Sequence, residues 1–299
     1  MEAEKITLEE INKNIKKNSK EYINFCENIY KNQVLEAALN VMNNSDVQFI
    51  LLAGPSSSGK TTTSKILRKV FEEHGYSALE LSLDDFFVDR VDTPLWDDGE
   101  YNYETFDAID WTLFSLCMQG LLKGASVKLP TYNFLTGNKE FGDATKLPKN
   151  SIVIIEGLHA LNPIIDQFIP TNKSFKIYIS VNTDIFKNGC PYLEHESIRL
   201  CRRMIRDLHH RGNSIEETLK TWKKVGIGEN LYINPFVELA EYTINSFHPY
   251  EICVYNKILE EMKNESLKDT LKKLHHFEKL DENKVPSDSV LQEFMPTKK

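Results

Sequence analysis

Residues 47–73 read VQFILLAGPSSSGKTTTSKILRKVFEE, and this stretch decides the fold. It begins with a run over residues 47–53 that is apolar except for Gln48 and has the length of a strand buried on both faces. A loop rich in Gly and Ser follows, and then a segment whose apolar residues recur with the period of a helix. The loop matches the pattern G-x-x-x-x-G-K-[ST] over residues 54–61, in which backbone N–H groups and the start of the next helix cradle phosphates. The sequence therefore predicts a strand–loop–helix unit that binds a nucleotide.

The residue types in this loop predict how it holds the nucleotide. Lys60 is expected to contact the β and γ phosphates, and the Thr61 hydroxyl is expected to bind Mg²⁺. An ordinary glycine-rich turn is the alternative, but the strand before the loop and the helix after it supply the context that phosphate binding requires. The residues predicted to bind the nucleotide are Gly54, Ser56, Ser57, Ser58, Gly59, Lys60, Thr61 and Thr62.

Composition limits the remaining possibilities. The chain has 299 residues, of which 41% are hydrophobic and 27% charged, as in a globular protein with a large core. No apolar run approaches the roughly 20 residues of a membrane span. A formal net charge of −8 argues against a nucleic-acid partner, which would require a basic surface. The first residues are acidic and lack the apolar centre of a secretory signal, so we expect a cytoplasmic protein.

The rest of the chain alternates between strand and helix patterns. Two further apolar runs of strand length lie at residues 78–83 and 151–155, and residues 175–181 and 242–245 are expected to form the fourth and fifth strands. The alternation predicts an α/β fold with a doubly wound parallel sheet. Residues 1–46 have apolar residues at near-helical spacing and predict a helical N-terminal extension to a main domain over residues 47–299. Residues 86–150 form a polar and aromatic excursion too long for an ordinary loop, where we expect the substrate pocket.

Two acids follow strands that would lie beside the phosphate-binding loop. Asp84 closes the second predicted strand, and Glu156 closes the third. The carboxyl ends of parallel strands meet at one edge of a sheet, and phosphoryl transfer needs a carboxylate near the γ phosphate and an acid on the metal. For Asp84 the alternative is a helix cap or turn residue. For Glu156 the alternative is a solvent-facing charge at a strand end.

A helix predicted over residues 197–208 separates apolar from basic side chains. Its apolar face would hold Leu200, Met204, Ile205 and Leu208, and its basic face Arg199, Arg202, Arg203 and Arg206. Two interpretations of the basic face are open, and for Arg199 and Arg202 the sequence favours neither. It is either a solvated surface or, with Arg211, part of a lid over the nucleotide, since guanidinium groups fit phosphoryl oxygens. The lid region would extend over residues 196–222.

Several segments together resemble the uridine kinase and phosphoribulokinase family of P-loop kinases. They are GPSSSGKTT at 54–62, SLDDFF at 82–87, YNYETFDAID at 101–110, PTYNF at 130–134, IIEG at 154–157 and RLCRRMIRD at 199–207, which RG at 211–212 follows. The set is most similar to the bacterial-type uridine kinase-like proteins, from about residue 20 to the C-terminus. The resemblance implies a nucleoside kinase-like P-loop NTPase fold with an arginine-rich lid. It also implies Mg²⁺-dependent transfer of the γ phosphate of ATP, or alternatively GTP, to the 5′-hydroxyl of a nucleoside, uridine or cytidine first. Relatives are often oligomers, so a homo-oligomer is expected by analogy alone.

The resemblance also implies roles for individual residues. Asp84 would accept the proton of the attacking hydroxyl, with Lys60 and Arg206 as the other catalytic residues. Thr61, Asp84 and Glu156 would bind Mg²⁺, and Arg206 and Arg211 would face the phosphates. The residues implied to bind the nucleoside are Asp84, Phe87, Tyr103, Glu104, Tyr132, Phe134 and Arg203. For each aromatic residue the alternative is ordinary core packing.

Two positions depart from the family pattern and bear on the acceptor. Pyrimidine-specific members commonly have a histidine three residues after the aromatic that ends PTYNF, whereas this chain has Gly137. The lid of nucleoside kinases often has a second arginine after RG, where this chain has Asn213. A different small alcohol, such as another nucleoside, a sugar phosphate or a pantothenate-like compound, is therefore the alternative acceptor. A non-catalytic nucleotide-dependent switch is the alternative from another class.

Overall fold

The computed structural model describes residues 4–296. Within these residues the chain forms ten strands: β1 (Glu4–Thr7), β2 (Phe49–Ala53), β3 (Ser77–Ser82), β4 (Val127–Asn133), β5 (Asn138–Thr145), β6 (Ser151–Glu156), β7 (Ser174–Ser180), β8 (Thr183–Lys187), β9 (Cys190–Leu193) and β10 (Tyr242–Asn245). The same residues form seven α-helices: α1 (Leu8–Met42), α2 (Lys60–Glu73), α3 (Trp111–Leu122), α4 (His195–Arg206), α5 (Ile215–Tyr232), α6 (Glu251–Glu261) and α7 (Lys268–Leu274).

Five strands form the central sheet, and all of them are parallel. Their order is β10–β7–β2–β6–β3, so β2 has a neighbour on each side, and all of its residues are buried. These are the five strands that the sequence predicts, and the doubly wound α/β fold is confirmed. Because the strands are parallel, their carboxyl ends share one edge of the sheet, where ligands of such folds bind.

Helices cover both faces of this sheet. The side chains of β2 alternate, so that Ile50 and Leu52 join a hydrophobic cluster with residues of α1, α2, α4 and α6. Phe49 and Leu51 point the other way, into a second cluster that contains Phe114 of α3. Burial on both faces explains why β2 and β6 are nearly continuous apolar runs in the sequence.

Helix α1 packs beside the helix that follows the phosphate-binding loop. The Tyr30 and Thr63 hydroxyls are 2.7 Å apart and share a buried hydrogen bond. At Asn18 the backbone leaves the helical conformation, with φ −163° and ψ 89°, and the Asn18 side chain accepts a hydrogen bond from the backbone N–H of Glu21 at 3.2 Å. Strand β1 precedes the helix and pairs with β8, which sequence reasoning did not predict. Residues 1–3 of the expected extension lie outside the described residues.

The long excursion over residues 86–150 has its own regular structure. It contains α3 and an antiparallel hairpin of β4 and β5, neither of which the sequence analysis predicted. The hairpin joins Asn133 to Asn138 through a turn in which Gly137 has a φ of +75°. The backbone N–H of Tyr132 in β4 donates to the Asp85 carboxylate at 3.1 Å, so the segment PTYNF lies beside the residues that follow β3.

The predicted basic helix is present as α4, and α5 begins within the predicted lid region and extends beyond it. Helix α4 ends in a π-type turn over Asp207–Arg211. Helix α5 begins with a capping box in which the Ser214 hydroxyl accepts from the Glu217 N–H and the Glu217 side chain accepts from the Ser214 N–H. Among residues 4–296, no helix is both long and apolar enough to cross a membrane.

Candidate active site

The phosphate-binding loop joins β2 to α2 at the carboxyl edge of the sheet. Gly54 is required by close packing, since a Cβ atom there would lie 2.0 Å from the carbonyl oxygen of Ile179. Gly59 has a φ of +92°, and a Cβ atom there would lie 2.7 Å from a methyl group of Val290. The Lys60 ammonium group curls back across the loop and donates to the carbonyl of Gly54 at 2.8 Å. The loop therefore has the compact shape that the spacing of its glycines and lysine predicts.

Two buried arginines of α4 donate hydrogen bonds to backbone carbonyl groups of this loop. Arg199 donates to the carbonyl of Ser56 at 3.2 Å, and Arg202 donates to the carbonyl of Ser57 at 3.3 Å. Their exposed fractions are 3% and 0%, so the interpretation of these two as a solvated face is wrong. Leu208, expected on the apolar face, is instead exposed.

Each of these buried guanidinium groups is paired with a carboxylate. Glu229 accepts from Arg199 at 2.6 and 2.8 Å, and Glu251 accepts from Arg202 at 2.7 and 2.9 Å. A buried charge is tolerated when it is paired and its donors are bonded. Glu229 also accepts from the backbone N–H of Ser56 at 3.2 Å, so the loop, α4 and α5 are joined at one point.

The two predicted acids lie beside the loop. Glu156, at the end of β6, accepts from the Thr61 hydroxyl at 3.2 Å and from the Ser82 hydroxyl at 3.0 Å. Burial raises the pKa of the Glu156 carboxyl to about 7, although the Lys60 ammonium partly opposes this shift. Asp84 lies in the short 3₁₀ turn after β3, where Ser82 and not Asp84 is the capping residue.

A cavity of about 280 Å³ brings the predicted residues together. It is lined by Ser56, Ser57, Ser58, Gly59, Lys60, Thr61, Asp84, Phe87, Tyr103, Glu104, Phe134, Glu156, Leu158, Arg203, Arg206, Arg211 and Glu293. Of the residues expected in the site, Gly54, Thr62 and Tyr132 do not line it. Leu158 and Glu293 line it although sequence reasoning assigned them no role. A larger cavity between α1 and the segment after β10 contains neither the loop nor these acids.

One wall of the cavity is aromatic. The Phe87 ring centroid lies 5.1 Å from that of Tyr103 and 6.2 Å from that of Phe134. Tyr132 packs behind them, 5.6 Å from Phe87, and only 4% of it is exposed. Phe87 is buried to a similar degree, but it lines the cavity with Tyr103 and Phe134, whereas Tyr132 does not, so the core-packing alternative describes Tyr132.

Glu104 faces the cavity opposite the phosphate-binding loop. Burial raises the pKa of its carboxyl to about 7, and the Arg203 guanidinium offsets part of that shift. A Cβ atom on Gly228 of α5 would lie 2.7 Å from the Glu104 Cβ, so α5 packs directly against this side chain. Only a glycine in α5 allows this approach.

One carboxylate that sequence reasoning missed forms ion pairs with three arginines of the predicted lid region. Asp207, which is fully buried, pairs with Arg203 at 3.2 Å, with Arg206 at 2.9 Å and with Arg211 at 3.8 Å. Arg203 also donates to the Ser56 hydroxyl at 2.7 Å. The sequence signal that could have revealed this role is the aspartate that ends the segment RLCRRMIRD. Three positive charges therefore line the cavity, and one of them, Arg203, contacts the loop.

At the position of the expected base-contacting histidine, Gly137 packs against Arg90. A Cβ atom on Gly137 would lie 2.7 Å from the Arg90 Cβ. The Arg90 guanidinium donates to the carbonyl oxygens of Phe134 and Leu135 and, at 3.4 Å, to the Tyr103 hydroxyl. Arg90 therefore joins the hairpin to the aromatic wall from outside the cavity.

The parallel sheet, the phosphate-binding loop and the arginine-lined cavity define a P-loop kinase. A sequence model of the phosphoribulokinase / uridine kinase family matches residues 49–252. Since this match spans more than half of the chain, the protein belongs to that family.

Individual proteins that match the chain share less than a third of its residues over the matched region. The chain is 29% identical to uridine kinase of Clostridium perfringens (strain ATCC 13124) over 177 residues, which cover 59% of this chain and 76% of that protein. It is 29% identical to uridine kinase of Ligilactobacillus salivarius over 173 residues, 58% of this chain and 72% of the relative. A solved structure of a possible uridine kinase from Bacillus stearothermophilus matches with 17% identity and a TM-score of 0.44, covering 71% of this chain and 97% of that one. The D-glycerate 3-kinase from Cryptococcus neoformans matches with 14% identity and a TM-score of 0.43, covering 68% and 86%.

Proposed function

We propose that the protein transfers the γ phosphate of ATP, with Mg²⁺, to the 5′-hydroxyl of a nucleoside, and that uridine and cytidine are its acceptors. The observation that carries this proposal is that one cavity is lined by Lys60 of the loop, by Asp84 after β3 and by Glu104, which follows Tyr103 of the aromatic wall. Lys60 can contact a phosphate, the carboxylate of Asp84 can bind the attacking hydroxyl, and Glu104 lies where the acceptor would bind. Curated relatives of 29% identity are uridine kinases, which supports the choice of acceptor.

The donor end of the cavity is positively charged. Lys60 and the arginines gathered by Asp207 line it together. Phosphoryl transfer places negative charge on the equatorial oxygens of the transferred group, and fixed cations that face these oxygens lower the barrier. In this proposal Lys60, Arg206 and Arg211 neutralise the phosphates, and the rest of the loop binds them through Gly54, Ser56, Ser57, Ser58, Gly59, Thr61 and Thr62.

Asp84 is proposed as the general base. It lines the cavity together with residues of the loop and of the aromatic wall. A carboxylate within hydrogen-bond reach orients the attacking hydroxyl and accepts its proton, a contribution of about 10²- to 10⁴-fold in rate. Alignment of the hydroxyl with the γ phosphate supplies the larger part of the acceleration.

The residues beside Asp84 fit a magnesium ion. Among residues 4–296, no cluster of three or more His, Cys, Asp or Glu side chains could form a complete metal cage. Mg²⁺ does not need one, because it keeps several water molecules and binds one or two carboxylates together with substrate phosphates. Thr61, Asp84 and Glu156 would hold it, and the Thr61 hydroxyl already contacts Glu156. When bound, the ion would neutralise charge on the phosphates.

The acceptor end combines stacking surfaces with groups that bind hydroxyls. Phe87, Tyr103 and Phe134 offer flat faces to a base, with Tyr132 as their support. Glu104 is an acceptor for ribose hydroxyls, and Arg203 is a donor within the same cavity. We also propose that residues 47–299 form the kinase domain and that residues 1–46 are an extension packed on it through Tyr30.

An acceptor screen tests the proposal. ADP release would be measured with uridine, cytidine, adenosine, ribulose 5-phosphate and pantothenate, with ATP and then GTP as donor. Uridine or cytidine should give the highest kcat/KM, and Lys60→Ala should reduce turnover about 10²- to 10³-fold, as expected when a donor to the transition-state charge is lost. Lys65→Ala, an exposed residue of the same helix, is the matched control. Turnover with a non-nucleoside alone would reject the nucleoside, and no turnover with any alcohol would favour a nucleotide-dependent switch.

A further inference from the structure

The C-terminal segment, residues 285–296, lies over the phosphate-binding loop. A methyl group of Val290 fills the space beside Gly59, and the Phe294 ring lies 5.0 Å from the Arg202 guanidinium. The carbonyl of Met295 is 2.8 Å from Nε2 of His210 in the turn after α4. Val290 and Phe294 are fully buried. The segment is therefore a fixed part of the site and connects the loop with the lid.

One side chain of this segment faces the cavity. Glu293 lines it together with Lys60 and Thr61. Its Oε2 accepts a hydrogen bond from the Thr62 hydroxyl at 2.8 Å, and this bond orients the carboxylate. Each carboxylate oxygen has two lone pairs, so an oriented carboxylate can accept further hydrogen bonds from a ligand.

The sheet order shows which end of the nucleotide Glu293 would meet. Asp84 and Glu156 follow β3 and β6, which lie on one side of β2. The C-terminal segment packs on Arg202, which donates to the carbonyl of Ser246 after β10, on the other side of β2. An acceptor bound beside Asp84 occupies the first side. The second side is therefore the side left open to the nucleoside part of the donor, and Thr62 and Glu293 meet at that end of the loop.

The chemistry of a carboxylate limits what it can recognise there. A carboxylate beside phosphate oxygens is repelled, because both are acceptors and both are negative. Vicinal hydroxyl groups are good partners, and acidic side chains bind the ribose hydroxyls of nucleotides in other folds. The ribose is the part of the donor that carries hydroxyl groups and follows the phosphates.

We propose that Glu293 accepts a hydrogen bond from a ribose hydroxyl of the donor nucleotide and so makes the kinase select ribonucleotides over deoxyribonucleotides. The proposal rests on the donor half of the proposed function and is independent of the acceptor. Glu293 is thus a specificity residue for the donor, and Thr62 positions it.

Binding without an acceptor tests this directly. The dissociation constants of ATP, 2′-deoxyATP and 3′-deoxyATP would be measured by calorimetry with MgCl₂ for the wild type, Glu293→Ala and Glu293→Gln. The wild type should bind ATP about tenfold more tightly than at least one deoxy analogue, the effect of one hydrogen bond to a charged group. Glu293→Ala should weaken ATP about tenfold, leave that analogue unchanged and so abolish the difference.

Matched variants separate this role from a structural one. Asp288→Asn removes a negative charge from the same segment at an exposed residue that pairs with Lys31, and it should leave the preference intact. Thr62→Val keeps the side-chain shape and removes the positioning hydroxyl, so it should reduce the preference. Thermal unfolding would show that each variant is folded.

Other outcomes would overturn the proposal. Equal binding of all three nucleotides by the wild type, or a preference retained in Glu293→Ala, would show that Glu293 does not bind the ribose. Tighter binding of all three nucleotides by both variants would mean that the carboxylate only repels phosphate. No binding of ATP or GTP would reject the nucleotide site itself.

If uridine is not phosphorylated but the preference for ribonucleotides depends on Glu293, the acceptor claim fails and the present proposal stands.

Discussion

Arg202 donates a hydrogen bond from Nη1 to the backbone carbonyl of Ser57 at 3.3 Å and joins α4 to the phosphate-binding loop. Ser57 has a φ of 59°, a left-handed conformation that a residue other than glycine keeps only when its surroundings hold it. Arg202 is fully buried and pairs with the equally buried Glu251. The conformation of the loop therefore depends on an ion pair in the core as well as on its own glycines.

Replacing this arginine should destabilise the fold strongly. Arg202→Met leaves Glu251 as an uncompensated buried charge, which costs about 3–5 kcal/mol. Urea unfolding monitored by circular dichroism would measure the loss. The double variant Arg202→Met/Glu251→Leu removes both charges and should recover much of it. Arg68→Met is the control, since Arg68 is half exposed and pairs with Glu72 on the surface, where an ion pair is worth about 0–1 kcal/mol. Equal effects of the Arg202 and Arg68 substitutions would refute this account.

Asp84→Asn should separate catalysis from nucleotide binding. The amide keeps the size of the side chain but no longer accepts a proton, so kcat should fall by about 10²-fold or more. The dissociation constant of ATP should change little, because the loop and the lid arginines make the phosphate contacts. Stopped-flow turnover and calorimetric ATP titration would measure the two quantities. Asp92→Asn, at an exposed residue of the same excursion, is the control. Unchanged kcat in Asp84→Asn would remove Asp84 from the mechanism.

The central sheet was predictable because its signals are local. β2 and β6 are short apolar runs, and β2 precedes a loop whose pattern specifies a strand before it and a helix after it. Strand β1 was not predictable, since it exists through pairing with β8, far away in the chain. The hairpin of β4 and β5 was missed for a related reason. Its β5 strand is largely exposed and polar, so it has no alternation of apolar residues to reveal it.

The candidate site shows the same division between local and distant signals. Asp84 and Glu156 could be found because acids at strand ends meet beside the loop. The burial of Arg199 and Arg202 could not be found, because arginine is usually exposed and the carboxylates that pair with them lie 30 and 49 residues further along the chain. Glu293 is 231 residues from Thr62, and no pattern within the chain joins them.

Gly137 should control binding of the acceptor through Arg90. Its φ is +75°, and an added Cβ atom would lie 2.7 Å from the Arg90 Cβ. Gly137→Ala should therefore cost about 1 kcal/mol or more in stability. It should also displace the arginine that holds Phe134 and Tyr103, and so raise KM for the nucleoside severalfold while KM for ATP is unchanged. Steady-state kinetics would show the split. In Gly142→Ala the new methyl group meets no atom within 4 Å, so KM should stay at the wild-type value.

Glu104 should make the stability of the protein depend on pH. Burial raises the pKa of its carboxyl to about 7 from an ordinary value of 4.5, so between these values the folded protein binds more protons than the unfolded chain. Stability contributed by this group therefore falls as pH rises from about 4.5 to about 7. Glu104→Gln removes the ionisable group and should be more stable than the wild type at pH 8, by about 2 kcal/mol after allowance for screening at the open cavity.

The same substitution should impair function while it stabilises the fold. At pH 4.5 the wild type and Glu104→Gln should unfold at nearly the same urea concentration, because the wild-type carboxyl is then mostly neutral. At pH 8 the variant should be more stable but should bind the nucleoside about tenfold more weakly, since a neutral amide is a poorer acceptor for ribose hydroxyls than a carboxylate. Glu73→Gln, at an exposed residue near the end of α2, should show neither effect. A stability difference for Glu104→Gln that does not change between the two pH values would mean that this carboxyl has an ordinary pKa, and the electrostatic part of its proposed role would then be wrong.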